Sequence, residues 1–592
     1  MAKPFTVRLS MWGFQPHFQV SIKHAAKRVF EALHPDFEVD VFLLGLAREN
    51  AENVHPVCLE PEDCGFSPSD FDSIRGDAEH YQAVDPDRNV ICTHPVGQAS
   101  YDRRIRAQAY EKAVLSALNE RNYSRPGEYY FSGFIPVDQH DVGIVLRLNS
   151  KGADKPYSLP TVHSGDRFRT PRSLAQAAAW QFLFEAIDSL RSSSPEVVAA
   201  YRGPNADELL REAGNRLMEA PVWAGSDPSS MYGLFGACNY ISELTYESEG
   251  SVGTMLIAPN GHKNIERTIA LKRPVSLGDH RAVRKLLQIA SAGDSLLCDG
   301  ATVIGFGRKC GIYNQSEANL FEVRFTRHYH WELLHGDHSM MRVSYGNPRL
   351  PRPPLNAEKL ASDLSRIFGD LRQDQVSRLV TLALAICKQR HGALLVITSD
   401  AENESNRLAK QSTPIDPMKL SESAISAVTS IDGAILLSPD GTCFAIGVIL
   451  DGLATPMGNP ARGARFNSSV RYVADKKNCL AIIVSEDGTA EWIPDLLPQL
   501  SRKILEEKAN EVTLLLAQTE IEIDKARPVV NWLDKHRFYL SASLCGAANE
   551  LIKRFDAKTM AEEGFSIGRA TFTPAPEMSD VYLLDDTNSS DV

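Results

Sequence analysis

The sequence predicts an α/β protein whose C-terminal half forms a mixed sheet flanked by helices, preceded by a separate α/β region. Three features predict it. Apolar runs of strand length alternate with segments of helical spacing through most of the chain. A proline-rich stretch interrupts that alternation at 346–356. Beyond it, residues 432–488 hold three strand-length apolar runs separated by glycine turns and one short helix.

Composition bounds the function. With 592 residues, a soft prior of about 150 per domain gives three or four domains. The chain is 43% hydrophobic and 23% charged, as expected of a globular protein. A net charge of −12 argues against broad nonspecific nucleic-acid binding, so DNA is not the expected partner. Ten cysteines are scattered without a close pair, and Cys298, Cys387, Cys443 and Cys479 sit inside apolar runs as small buried hydrophobes. That usage fits a reducing cytoplasm. The first residues lack a continuous apolar stretch, and no run of 18 apolar residues occurs, so neither a signal peptide nor a membrane span is expected.

Taken in order, residues 21–33 carry helical spacing through Ile22, Ala25, Ala26, Val29, Phe30 and Leu33, and 39–44 read as a strand after a Pro-Asp turn. The aromatic segment Trp12-Gly13-Phe14-Gln15-Pro16-His17-Phe18 is expected to pack in a core or an interface. A subdomain break is expected near 130, within an α/β region spanning 1–345. Strands are expected at 143–148, 301–306 and 320–325, and helices at 174–190 (capped by Ser173), 207–218 and 281–290.

Gly305-Phe306-Gly307-Arg308 lacks the third glycine and ensuing helix of a dinucleotide fingerprint. His328, His330, His335 and His338 match no established zinc spacing and are expected on a partly exposed strand and loop. Residues 346–356 read as a stiff proline-rich spacer and domain boundary. Helices at 360–368 and 376–388 precede a strand at 393–398, then a polar stretch at 401–418, broken by Pro414 and Pro417, reads as a loop. Helices are also expected at 421–429, 495–516 and 531–555, and an acidic disordered tail at 585–591.

The chemistry concentrates in 432–488. Asp432 precedes a buried run, which holds its carboxylate at a sheet edge, and Gly433 leaves room for a ligand against the main chain. Gly463, Arg465, Asn467, Ser468 and Ser469 place small polar groups and a guanidinium on the first turn of a helix, where free N–H groups favour an anion. Arg465 suits bidentate phosphate binding, and Asp432 with Glu486 offers oxygen ligands to Mg²⁺ or Mn²⁺.

Gly392-Ala393-Leu394, Asp432-Gly433-Ala434 and Ser485-Glu486 occur in an order and spacing that resembles the diadenylate cyclase (DAC) domain of DisA-type proteins, over residues 357–525. The front half resembles the probable sensor region that precedes some such domains. The resemblance implies that two domains face each other as a homodimer or higher even-numbered assembly. Each holds ATP, and each 3′-hydroxyl attacks the other's α-phosphate to give cyclic di-AMP. Asp432, Gly433 and Ala434 would form the catalytic motif. Asp432 would bind the metal, Arg465 would hold the triphosphate, and Gly392, Ala393 and Leu394 would wall the base pocket, while an unknown cue acts on residues 1–345.

The family's Arg-His-Arg motif reads Arg465-Phe466-Asn467 here. Losing two charge-assisted hydrogen bonds, each worth roughly 1.5–3 kcal/mol, would weaken triphosphate binding ~100-fold or more. Arg471 lies six residues on, about 1.7 turns away and on a different helix face. Three readings follow: a diadenylate cyclase using ATP or another NTP, a same-fold nucleotidyltransferase with a different product, and an inactive nucleotide receptor. The helix-hairpin-helix pattern that gives some DisA proteins their DNA contact is not present. Residues 526–592 are expected to add a C-terminal helix before the tail.

Overall fold

The computed structural model describes residues 11–584 apart from 53, 121–125, 151–156, 161–169, 192–199, 226–232, 246–251, 291–292, 389–391, 430, 456–457, 460–461, 475, 486–487 and 564–568. The chain divides into two compact units, Met1–Pro351 and Arg352–Val592. Among the described residues, no helix is long and apolar enough to cross a membrane. The acidic tail at 585–592 lies outside the described residues.

The first unit holds two sheets. One contains β1 (Phe37–Ala47), β2 (Val57–Glu60), β3 (Glu128–Val137) and β4 (His140–Ser150) in the order β2-β1-β4-β3. Successive side chains of a strand face opposite ways, and β1 buries both sets. Val41 and Leu43 join a core with the helix Gln15–Leu33, while Phe42, Leu44 and Leu46 join another with the helices Ile74–Ala83 and Pro95–Glu120. The break expected near 130 falls inside this sheet, because β1 pairs along its whole length with β4 across the intervening helices. Trp12 packs on Phe18 in the same core, 1% exposed, as its aromatic character predicts.

The second sheet comprises β5 (Gly253–Ile257), β6 (Ile265–Ser276), β7 (Ser295–Cys298), β8 (Thr302–Lys309), β9 (Phe321–Arg327), β10 (His330–His335), β11 (His338–Ser344) and β12 (Asn347–Arg349). Their order is β12-β11-β10-β9-β5-β7-β8-β6. The expected spacer therefore begins as a strand: β12 pairs with β11 and buries Pro348. A proline that cannot donate to a ladder is tolerated there because β12 is an edge strand.

The second unit is built on a mixed sheet of β13 (Ala393–Thr398), β14 (Thr413–Lys419), β15 (Ala434–Leu437), β16 (Thr442–Val448), β17 (Cys479–Val484) and β18 (Ala490–Ile493), ordered β14-β16-β15-β13-β17-β18. β13 runs parallel to β15 and antiparallel to β17. All three are buried end to end, which explains their unbroken apolar runs. Leu395, Ile435 and Ile482 pack with the helices Ala357–Phe368 and Gln373–Cys387 on one face. Leu394, Leu436 and Ile483 pack on the other with Tyr472 and Val473 of the helix Ala464–Ala474.

The stretch expected as a loop at 401–418 is instead a short helix, Ala401–Arg407, followed by β14. Pro414 and Pro417 fit because β14 is an edge strand paired only with β16. The C-terminal helices Arg502–Ala517, Ile523–Lys535 and Ala542–Glu563 share one core through Val512, Val530, Leu533, Leu551 and Phe555. The boundary expected at 525 cuts through that core.

Candidate functional site

Three adjacent strands bring the predicted residues to one end of the mixed sheet. Parallel pairing of Leu394 with Ala434 sets Gly392 level with Asp432, and antiparallel pairing of Ala393 with Val484 sets Gly392 beside Ser485. The helix Ala464–Ala474 starts at the same end and supplies Arg465. Its first N–H groups have no carbonyl one turn back, which leaves them for a capping group or an anion.

Arg465 is the centre of this arrangement. Its Nη2 lies 3.6 Å from an Asp432 carboxylate oxygen, with Asp432 almost wholly exposed. A Cβ placed on Gly392 would stand 2.7 Å from Arg465 Nη1 and 3.0 Å from the Val484 carbonyl oxygen. Glycine at 392 is thus what lets the guanidinium lie against the strand end. Among the described residues, Asp432 otherwise accepts only from the neighbouring Gly433 N–H, at 3.1 Å. A carboxylate in this state is free to take a cation, and Arg465 is placed to take an anion beside it.

Other predicted residues have different work. Gly433 has a φ of +115°, and a Cβ there would stand 2.5 Å from the Gly447 carbonyl carbon. The room expected for a ligand is filled by the Gly447 backbone. Ala434 is fully buried and packs in the core, as are Ala393 and Leu394 to within a few percent. Ser468 and Ser469 donate to the Arg465 carbonyl at 3.1 and 2.8 Å. Such back-bonding is usual for short hydroxyl side chains in a helix and removes them from the expected anion site.

Asn467 also turns inward. Its Nδ2 donates to the carbonyls of Asn459 and Arg462 at 2.9 and 2.8 Å, and its Oδ1 accepts from Asn459 N–H at 2.9 Å. It fastens the loop before the helix. Phe466 lies under the Arg462 guanidinium, 4.2 Å from its ring centroid, and Arg462 is itself paired with Glu491. Gly463 opens the helix, accepting from Asn467 N–H at 3.2 Å. Arg471 is exposed in the last turn. Ser485 closes a tight turn, its Oγ 2.9 Å from the Thr489 carbonyl oxygen. Glu486 lies outside the described residues.

A charged network escaped the sequence reading. Buried Glu404 accepts from Arg407 at 2.9 and 2.8 Å, from Tyr472 Oη at 2.6 Å and from Lys476 at 2.9 Å. Arg407 also forks onto Asp451 at 2.5 and 2.8 Å. Burial works to raise the Glu404 pKa, but the hydrogen bonds from Arg407, Tyr472 and Lys476 outweigh it and hold the carboxyl at about 2. The network ties the helix bearing Arg465 to the helix after β13. Its one local signal was the three-residue spacing of Glu404 and Arg407.

An exposed carboxylate and a guanidinium converging at glycine-marked strand ends define the class of site: one suited to a phosphate-bearing ligand. Residues 383–492 match the family described as DisA bacterial checkpoint controller nucleotide-binding (DAC). Residues 11–218 match Probable sensor domain DACNG, and residues 232–337 match Probable sensor domain DACNH. The matches fall in the order DACNG, DACNH, DAC along the chain, so the regions similar to probable sensor domains precede the region similar to the nucleotide-binding family.

Among solved structures it is similar to DacA from Staphylococcus aureus, a double mutant, with 19% identity, a TM-score of 0.17, and coverage of 24% of this chain and 95% of that one. It is also similar to a hypothetical membrane spanning protein from Bacillus cereus, with 21% identity, a TM-score of 0.16, and coverage of 20% of this chain and 57% of that one. No curated protein matches.

Proposed function

We propose that the C-terminal unit is a diadenylate cyclase-type nucleotidyltransferase that condenses two ATP into cyclic di-AMP, and that the N-terminal region regulates it. The observation that carries this reading is the convergence of Gly392, Asp432 and Arg465 at one end of β13 and β15. Arg465 holds the triphosphate, and Asp432 faces the reacting groups. Each 3′-oxygen forms a bond to the α-phosphorus of the other ATP, the bond to pyrophosphate breaks, and the hydroxyl proton leaves to solvent. Two domains must face each other for both bonds to form, so the working species is a homodimer or a higher even-numbered assembly.

Mg²⁺ or Mn²⁺ suits the donor set, since such ions take one or two carboxylates and complete their shell with substrate phosphates and water. Asp432 would hold it, with Glu486 the second candidate by sequence, and when bound it would neutralise charge on the phosphates.

A second reading rests on the helix start. Phe466 and Asn467 serve packing and loop fastening, and Arg462 is paired with Glu491, which leaves Arg465 as the guanidinium nearest Asp432. The departure Arg465-Phe466-Asn467 from the family motif is what motivates a different nucleotide or a linear product as the second reading. The test is to incubate the protein and Asp432→Ala with each NTP and dNTP plus Mg²⁺ or Mn²⁺ and resolve products by mass spectrometry. Cyclic di-AMP from the unaltered protein alone supports the first reading, and another dinucleotide supports the second. Tight nucleotide binding by both proteins with no product would overturn both in favour of a receptor.

A further inference from the structure

A cavity of about 350 Å³ lies within the 232–337 segment, lined in part by Asn264, Lys309, Ile312, Tyr313, Glu322 and Asp337. Its volume and its mixture of apolar and polar walls are those of a small-molecule site.

The walls are held rigidly. Buried Glu322 pairs with Lys309 and, at 2.6 Å, with Arg324. Tyr313 Oη accepts the N–H groups of Asn319 and Leu320 at 3.0 and 3.2 Å, so its own proton goes to His335 Nε2 at 3.1 Å. His335 Nδ1 then donates to Tyr157 Oη at 2.6 Å. Asn264 Nδ2 donates to the carbonyls of Cys310 and Ile312, both at 3.1 Å, which fixes the orientation of the amide.

What remains unengaged describes the ligand. Asn264 Oδ1 is enclosed behind the lining and, among the described residues, meets no donor. Asp337 is exposed at the cavity, and its carboxylate has no ion pair or hydrogen bond among the described residues. Glu322 is shared by Lys309 and Arg324, and Asp337 is the charged group of the lining that has no ion partner among the described residues. Ile312 stands 97% exposed beside these acceptors, an apolar side chain with nothing over it. An exposed, unpaired carboxylate beside an apolar side chain at one cavity calls for a cation with a hydrocarbon body.

We propose that this cavity binds a small organic amine, its ammonium or guanidinium head at Asp337 and its methylene chain against Ile312. This site lies within the first unit, and it stands or falls independently of the chemistry assigned to Asp432.

The test is calorimetric titration of the full chain at physiological salt with cadaverine, agmatine and spermidine, beside the length-matched controls 1,5-pentanediol and glutarate. Asp337→Asn and Ile312→Ser change exposed side chains and leave the folded unit intact. Saturable binding of at least one amine, absent for both controls, is expected. Its affinity should fall ten-fold or more in Asp337→Asn and several-fold in Ile312→Ser. Hydrogen exchange of the 310–320 loop should slow on binding in the unaltered chain. The proposal is overturned if no amine binds, if either control binds equally, or if Asp337→Asn binds as well as the unaltered chain, since the last result would mean general attraction to an acidic protein.

Discussion

Gly392→Ala tests how the candidate nucleotide site is assembled. The added methyl would stand 2.7 Å from Arg465 Nη1 and 3.0 Å from the Val484 carbonyl oxygen. The first contact is relieved cheaply, because the end of an arginine swings away, and the second asks only a few tenths of an ångström of the strand. The fold should therefore survive while the guanidinium leaves its place. Losing one charge-assisted hydrogen bond costs roughly 1.5–3 kcal/mol, or about 10- to 150-fold in nucleotide affinity. Titration with ATP should show that loss in Gly392→Ala and in Arg465→Ala. The decisive measurement is the double variant. If the alanine acts only by displacing Arg465, the pair should bind no more weakly than Arg465→Ala alone. Additive losses would refute the reasoning and mean that Gly392 contacts the nucleotide directly.

Gly433→Ala should behave differently from Gly392→Ala. Its Cβ would meet the Gly447 backbone at 2.5 Å at a φ of +115°, and backbone cannot swing aside. A loss of about 2–4 kcal/mol in the stability of the second unit is expected, read as a lower denaturant midpoint. An unchanged midpoint would contradict the close approach. Glu404→Gln should loosen the helix Ala464–Ala474 by about 1–3 kcal/mol, since Arg407 keeps Asp451 while Lys476 and Tyr472 lose a charged acceptor. Hydrogen exchange across that helix should quicken at pH 7. The Glu404 carboxyl is held at about 2, below its ordinary value near 4.5, so its stabilisation is complete above pH 4.5 and is lost as pH falls toward 2. The difference between the two proteins should shrink over that window, and a difference that grew instead would reverse the assignment.

The sequence made the centre of the second unit legible because its strands are covered on both faces. β13, β15 and β17 read as unbroken apolar runs, and few other structures produce three such runs between glycines. Motif order then placed Gly392, Asp432 and Arg465 together, as the strand register does. What the sequence concealed was side-chain direction at a helix start. Ser468, Ser469 and Asn467 have the residue types of an anion site, yet each satisfies a nearby carbonyl first, and residue type does not say which demand wins.

Edge strands were hidden for a different reason. β12 and β14 contain prolines, which signal a break in a central strand but are harmless where one side of the ladder is unpaired. The network of Glu404, Arg407, Asp451, Tyr472 and Lys476 spans more than seventy residues of sequence, and its charged members look like ordinary surface charges until the fold closes around them. Those two facts bear on the departure from the family motif. Phe466 packs against Arg462 and Asn467 bonds the Asn459 and Arg462 carbonyls, so placing a histidine and an arginine there would remove a fastening as well as add charge. At the helix start Arg465 pairs with Asp432 while Arg462 is taken up by Glu491 and Phe466, so on the reading proposed above the further cationic partners of a triphosphate would come from other residues or from an apposed second domain.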